Sequence, residues 1–134
     1  MANHYDDLKD SYGRCLAEPD FFHRFCERLL MTHPSVRRMF AQTDFETQTN
    51  ALRSSISAAI WHASGNTLSG KLVDGIAAAH SRAGRAPVPP HLYAYWVESL
   101  LQTVAEVDPK ITPRLLDRWR EAMEGVTAAF AERY

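Results

Sequence analysis

FCERLLMTHPSVRRMF, residues 25–40, holds a helical face, a break, and a second segment too short to be a full helix. Phe25, Cys26, Leu29 and Leu30, with Phe21 and Phe22 ahead of them, recur at the three- and four-residue spacing of one apolar helix face. His33-Pro34 interrupts that face, because proline disfavours the helical conformation in the residue before it. From Pro34 to Phe40 there is room for one or two turns. A short proline-initiated segment between two long helices suits helices that cross one another better than helices that run up and down.

Working outward, the same helical period continues in both directions. Tyr5, Leu8, Tyr12, Cys15 and Leu16 make a first apolar face, and Pro19 marks the next start. Thr43-Asp44-Phe45-Glu46 fits a capping box, with Thr43 as the cap and Glu46 three residues on. The helix it opens turns Leu52, Ile56, Ala59 and Ile60 inward, and Gly65 ends or follows it. Leu68, Leu72, Ile76, Ala79 and His80 then share a face, which Gly84 and Pro87 close. Pro89-Pro90 opens a helix carrying Trp96, Val97, Leu100, Leu101 and Val104, and Asp108-Pro109 breaks it. Thr112-Pro113 is a cap followed by proline at the first helical position. Leu115, Leu116, Trp119, Met123, Val126 and Phe130 line the last helix. No segment alternates with the period of a strand. The expectation is all-α: six substantial helices and a short one in a single domain, residues 1–134, without repeats or linkers. An up-down bundle and a crossed-helix packing both fit this pattern, and the irregular breaks favour crossing.

Composition removes several function classes. Apolar residues are 46% of the chain, charged residues 23%, and the formal net charge is −1. With no basic excess, no nucleic-acid partner is expected. No run of about 18 apolar residues could span a bilayer, so no membrane partner is expected either. The beginning MANHYDDLKD lacks the pattern of a secretory leader, and Cys15 and Cys26 form neither a C-x-x-C nor a zinc pattern. A cytoplasmic protein with reduced thiols is the corresponding expectation. GNTLSGKL, from Gly65 to Leu72, nearly spells a phosphate loop. It has Leu72 where a hydroxyl must hold magnesium, and a helix where a strand must precede. A helix–helix turn is the simpler reading. None of the six histidines has a glutamate three residues before it, which excludes the di-iron bundle pattern; His23 has Asp20 there.

One histidine sits in unusual company. In DGIAAAHSRAGRAPVPPHLY, Asp74 to Tyr93, a helix of small residues leads to His80 and then to a loop rich in arginine and proline. A lone histidine on an apolar helix face is ordinarily a core or boundary residue. Here Ala77, Ala78 and Ala79 remove bulk beside the ring, so a flat group could approach. A carbonyl one turn back, near Ile76, could accept the imidazole N–H and fix the tautomer a metal requires. Arg82 and Arg85 follow at the helix end, suited to carboxylates, although compensation of the helix dipole accounts for them equally well.

Taken together, these segments resemble a bacterial single-domain globin, and are similar to the haem domain of flavohaemoglobins over nearly the whole chain. Pro34 and Phe40 fit the short third helix and the phenylalanine that packs on the haem. Gln48 and Leu52, in QTNAL, fit the distal positions of the next helix. His80 follows at the family's distal-to-proximal spacing. Tyr93, in HLYAYWVESLL, and Trp119, in RWREAM, complete the series. The resemblance implies a three-over-three helical sandwich around haem b, with His80 as the iron ligand. It implies Gln48 as the distal polar contact, Cys26 as a distal wall, and Phe40, Leu52, Ile56, Leu72 and Ile76 as dry walls. Arg82 or Arg85 would meet a haem propionate, and the expected partners are oxygen, nitric oxide or carbon monoxide.

Three departures from that pattern bear on function. Cys26 stands where relatives commonly carry tyrosine, and a thiol donates only a weak hydrogen bond, so weaker oxygen retention is expected. The glutamate that sharpens the proximal histidine in flavohaemoglobins falls near Tyr134 here, so that lever is expected to be absent. No reductase domain is expected to follow, so electron-consuming turnover would need an external reductase. Reversible gas binding is therefore expected ahead of enzymatic turnover. The alternatives are a nitric oxide dioxygenase served by a separate reductase, and a globin-like sensor or interaction module.

Overall fold

The structure, a computed structural model, describes residues 6–65 and 69–134. Tyr5 and Leu68, and Asn66 and Thr67 of the near phosphate loop, lie outside the described residues. Among the described residues there are seven α-helices and no strand. They are α1 (Asp6–Leu16), α2 (Phe21–Leu30), α3 (Pro34–Met39), α4 (Phe45–Ala63), α5 (Ser69–His80), α6 (Tyr93–Val107) and α7 (Pro113–Glu132). A single 3₁₀ turn, Pro90–Leu92, leads into α6. No helix among the described residues is long and apolar enough to cross a membrane.

Local chemistry sets most helix ends. His33 caps α3 by accepting the Ser35 N–H at Nδ1, 3.0 Å away, with Pro34 at the first helical position. Thr112 caps α7 through Leu115 N–H, again with proline next. At α4 the cap is Asp44, not Thr43: its carboxylate accepts the Thr47 N–H at 2.8 Å, and the helix begins at Phe45. An ionised carboxylate is the stronger acceptor for a helix N-terminus, and that bond also holds the Asp44 pKa below the ordinary value. Gly65 follows α4 with φ of 76°, a left-handed conformation that glycine adopts without steric penalty.

The core lies between two helix pairings, α4 on α7 and α2 on α6, with α5 packed against α4 and α7. Trp119, Phe21, Phe25, Leu8, Ile56 and Leu100 are fully buried in it. Leu16, expected on the inner face of α1, is exposed because α1 ends there and the chain turns away. A buried polar knot fixes the first helix. Asp108, at the end of α6, accepts from Ser11 Oγ and from the Arg14 guanidinium, both on α1, and from Lys110 N–H. Trp119 Nε1 donates to the same Ser11 hydroxyl at 2.9 Å, and its ring meets Tyr12 edge-on.

Candidate functional site

α5 ends at His80, and the loop after it folds back onto that end. Ala86 N–H reaches the carbonyl of Ala79 at 2.9 Å, and Val88 N–H reaches that of His80 at 3.0 Å. Ser81 satisfies the Ala78 carbonyl with both its N–H and its hydroxyl. The last carbonyls of a helix have no partner inside it, so this loop supplies what the helix lacks. The approach is close. A Cβ on Gly84 would lie 2.3 Å from the carbonyl oxygens of Ala78 and Ala79, so only glycine fits. The sequence placed Gly84 and Pro87 at the helix end; they lie beyond it, in the loop that caps it.

The loop, α3, α4, the end of α5 and the start of α6, with residues from α2 and the end of α7, line a cavity of about 710 Å³ that is partly open to solvent. Its walls are mostly apolar, with a few polar groups converging on it, the usual make-up of a ligand site. Of the residues the sequence singled out, Phe40, Gln48, Leu52, His80, Arg85 and Tyr93 line it together. The others are placed elsewhere. Cys26 is buried in the core, and Leu29, one turn along α2, lines the cavity in its stead. Ile56 is fully buried among the helices, and Leu72 and Ile76 pack partly buried against the core. Arg82 is turned away: its backbone N–H donates to the Tyr134 carbonyl and its guanidinium lies over the Tyr134 ring.

Several wall residues were not anticipated. Ser55 follows Gln48 and Leu52 on the same face of α4, a spacing that was readable in advance. Trp96 and Thr127 stand one turn from Tyr93 and Phe130. Ala86, Pro87 and Val88 belong to a loop and carry no periodic signal.

The imidazole of His80 is held by its neighbours. Its ring meets Phe130 edge-on, with centroids 5.8 Å apart, and the Tyr93 hydroxyl stands 3.4 Å from Nδ1. That partner takes the place expected for a carbonyl near Ile76. In the tautomer that carries its proton on Nδ1, the ring donates to the Tyr93 oxygen and Nε2 keeps a lone pair for a metal. Burial, and then the positive charge of Arg85, hold the His80 pKa below the ordinary histidine value, so the ring is neutral at pH 7. Burial pushes the Tyr93 hydroxyl up to about 12, and it stays protonated. Gln48 is 4% exposed, and its Nε2 finds no hydrogen-bond partner among the described residues. A buried amide left unpaired is costly, so this N–H is available to an acceptor bound in the cavity. Among the described residues no three His, Cys, Asp or Glu side chains gather to hold a metal alone. A single neutral histidine on an apolar wall fits a metal that arrives inside a flat organic ligand.

A helical sandwich that closes an apolar cavity over one histidine is the architecture of the globins. A protein of Pseudomonas aeruginosa PAO1, whose crystal structure is described as structurally highly homologous to a human hemoglobin, is similar to this chain. The two are 35% identical over 97% of each chain, with a TM-score of 0.89. No protein-family model matches the chain, and no curated protein does. The identity and coverage of that similarity settle the family: the chain belongs to the globins and has the all-α globin fold.

Proposed function

We propose that this chain is a cytoplasmic haem-b globin that reversibly binds oxygen or another diatomic gas at an iron ligated by His80. The observation that carries the reading is the unpartnered Gln48 amide in a cavity that also holds a neutral imidazole. A haem iron with one protein nitrogen ligand keeps a sixth position for a diatomic molecule. The chain supplies the rest. Tyr93 and Phe130 orient the imidazole. Phe40 and Leu52 supply apolar wall, and Arg85 offers a cation to a haem carboxylate. Gln48 offers its N–H to the polar end of the gas.

Visible spectra of the protein with haem added, then reduced, then under carbon monoxide, test this directly. The expected result is a sharp Soret band that shifts with carbon monoxide and is disrupted in His80→Ala. Absence of stoichiometric haem uptake by the wild type overturns the reading and favours a globin-shaped interaction module. Nitric oxide dioxygenation requires electrons from a separate reductase, and nitrate formation under turnover with one distinguishes it from reversible binding.

A further inference from the structure

Arg82 lies two residues past His80, and it joins the end of α5 to the end of α7. Its backbone N–H donates to the Tyr134 carbonyl at 3.2 Å. Its guanidinium lies 4.9 Å from the centre of the Tyr134 ring, within the range of an attractive cation–π contact. On α5 itself, Asp74 pairs with Arg133. Tyr134 lies two residues past Glu132, the last residue of α7, and Phe130 lies in the last turn of that helix. The last turn of α7 therefore touches the His80 ring through Phe130, and the residues just past it touch the segment after His80 through Tyr134. Arg82 and the Arg133–Asp74 pair are exposed, so little buried surface depends on them.

We propose that Arg82 and Tyr134 form a clasp that positions His80, holding the last turn of α5 so that the imidazole keeps its edge contact with Phe130 and its reach to Tyr93. The clasp is a feature of the polypeptide alone; its consequence for an iron ligand rests on the haem reading above. Groups bonded directly to a metal-bound histidine are worth about 10- to 100-fold in metal affinity; Arg82 and Tyr134 act one contact further out, so their effect is expected at the low end of that range. Lysine in place of Arg82 would keep the charge but lose the flat surface that stacks on the ring.

The test compares Arg82→Ala, Arg82→Lys, Tyr134→Leu and Tyr134→Phe with the wild type in two states. In the haem-free protein, nuclear Overhauser contacts between the His80 and Phe130 rings report the geometry. In the haem-loaded ferrous protein, the iron–histidine stretching band in resonance Raman and the rate of haem release to a scavenger report its effect. Arg82→Ala and Tyr134→Leu are expected to weaken the ring contacts, shift or broaden the band, and speed haem release about tenfold. Tyr134→Phe is expected to retain wild-type behaviour, because the ring and the backbone acceptor remain, and Arg82→Lys to fall between. Unchanged ring contacts and an unchanged band in both disruptive variants overturn the clasp, whatever happens to the melting temperature. If the wild type takes up no haem, the gas-binding reading fails, and the ring contacts alone decide the clasp.

Discussion

Single residues carry the chemistry, and Gln48 carries the sharpest consequence. Its buried amide N–H costs folding free energy while it lacks a partner. Gln48→Leu keeps the volume and removes that cost. The haem-free variant is expected to be more stable than the wild type by about 1 kcal/mol in urea denaturation. If the proposed function holds, the same change speeds oxygen dissociation in stopped flow. A stability loss in the haem-free variant would show that the amide is satisfied in the folded chain. Cys26 makes the opposite point. Burial pushes its thiol up to about 11 and that of Cys15 up to about 12, so neither forms a reactive thiolate near neutral pH. Native protein treated with iodoacetamide at pH 8 is expected to stay unlabelled at both positions by mass spectrometry, and labelling without unfolding would contradict that. Sequence singled out His80 because it is a polar group on an apolar face, and Gln48 through the resemblance to the globins. It could not separate Cys26, Ile56, Leu72 and Ile76 from Leu52. An apolar residue on an inner face reads the same whether it meets a neighbouring helix or a void.

At the scale of elements, helices were legible because their information is local. The three- and four-residue period, the prolines at first positions and the Thr112 cap lie within a turn of what they control. The cap of α4 was misplaced by one residue because Thr43 and Asp44 are both cap formers, and acceptor strength decided between them. The loop after α5 was not legible. Its path is set by hydrogen bonds that reach back seven and eight residues to the Ala79 and His80 carbonyls, and nothing periodic announces them. Gly84 is the residue on which that path depends. In Gly84→Ala the added methyl group meets two backbone oxygens that belong to the helix, so the loop must move off the end of α5. The expected cost is about 1–3 kcal/mol, the ordinary penalty for forcing extra volume into a close-packed place. Faster amide exchange at Ala86 and Val88 is expected with it. Exchange rates equal to the wild type at both positions would mean that the loop accommodates the methyl group and does not cap the helix as described.

Across the whole molecule, the crossed packing was legible from its breaks, but the tie that closes it was not. The sequence shows Asp108 only as a helix breaker. In the fold it is 2% exposed and joins α1 to the corner between α6 and α7. Burial alone would raise the pKa of this carboxyl. The bonds from Arg14, Ser11 and Lys110 N–H more than offset that, and the net shift is downward. The sign follows from linkage. A carboxyl with a folded pKa below its unfolded value, about 3.9, binds fewer protons in the native state than in the unfolded one at acid pH. Its stabilisation is therefore fully present above that value and is lost as pH falls through and below it. Asp108→Asn keeps the shape but removes the charge that Arg14 faces, and is expected to cost about 2 kcal/mol at pH 7. Between pH 5 and pH 2 (roughly the carboxylate window) the wild type is expected to lose stability more steeply than the variant, so that their unfolding curves converge. A constant gap between them across that range would mean that Asp108 is held by packing and not by its charge. The tie between the first helix and the rest of the globin would then be apolar, carried by Leu8, Cys15 and the edge of Tyr12 on Trp119.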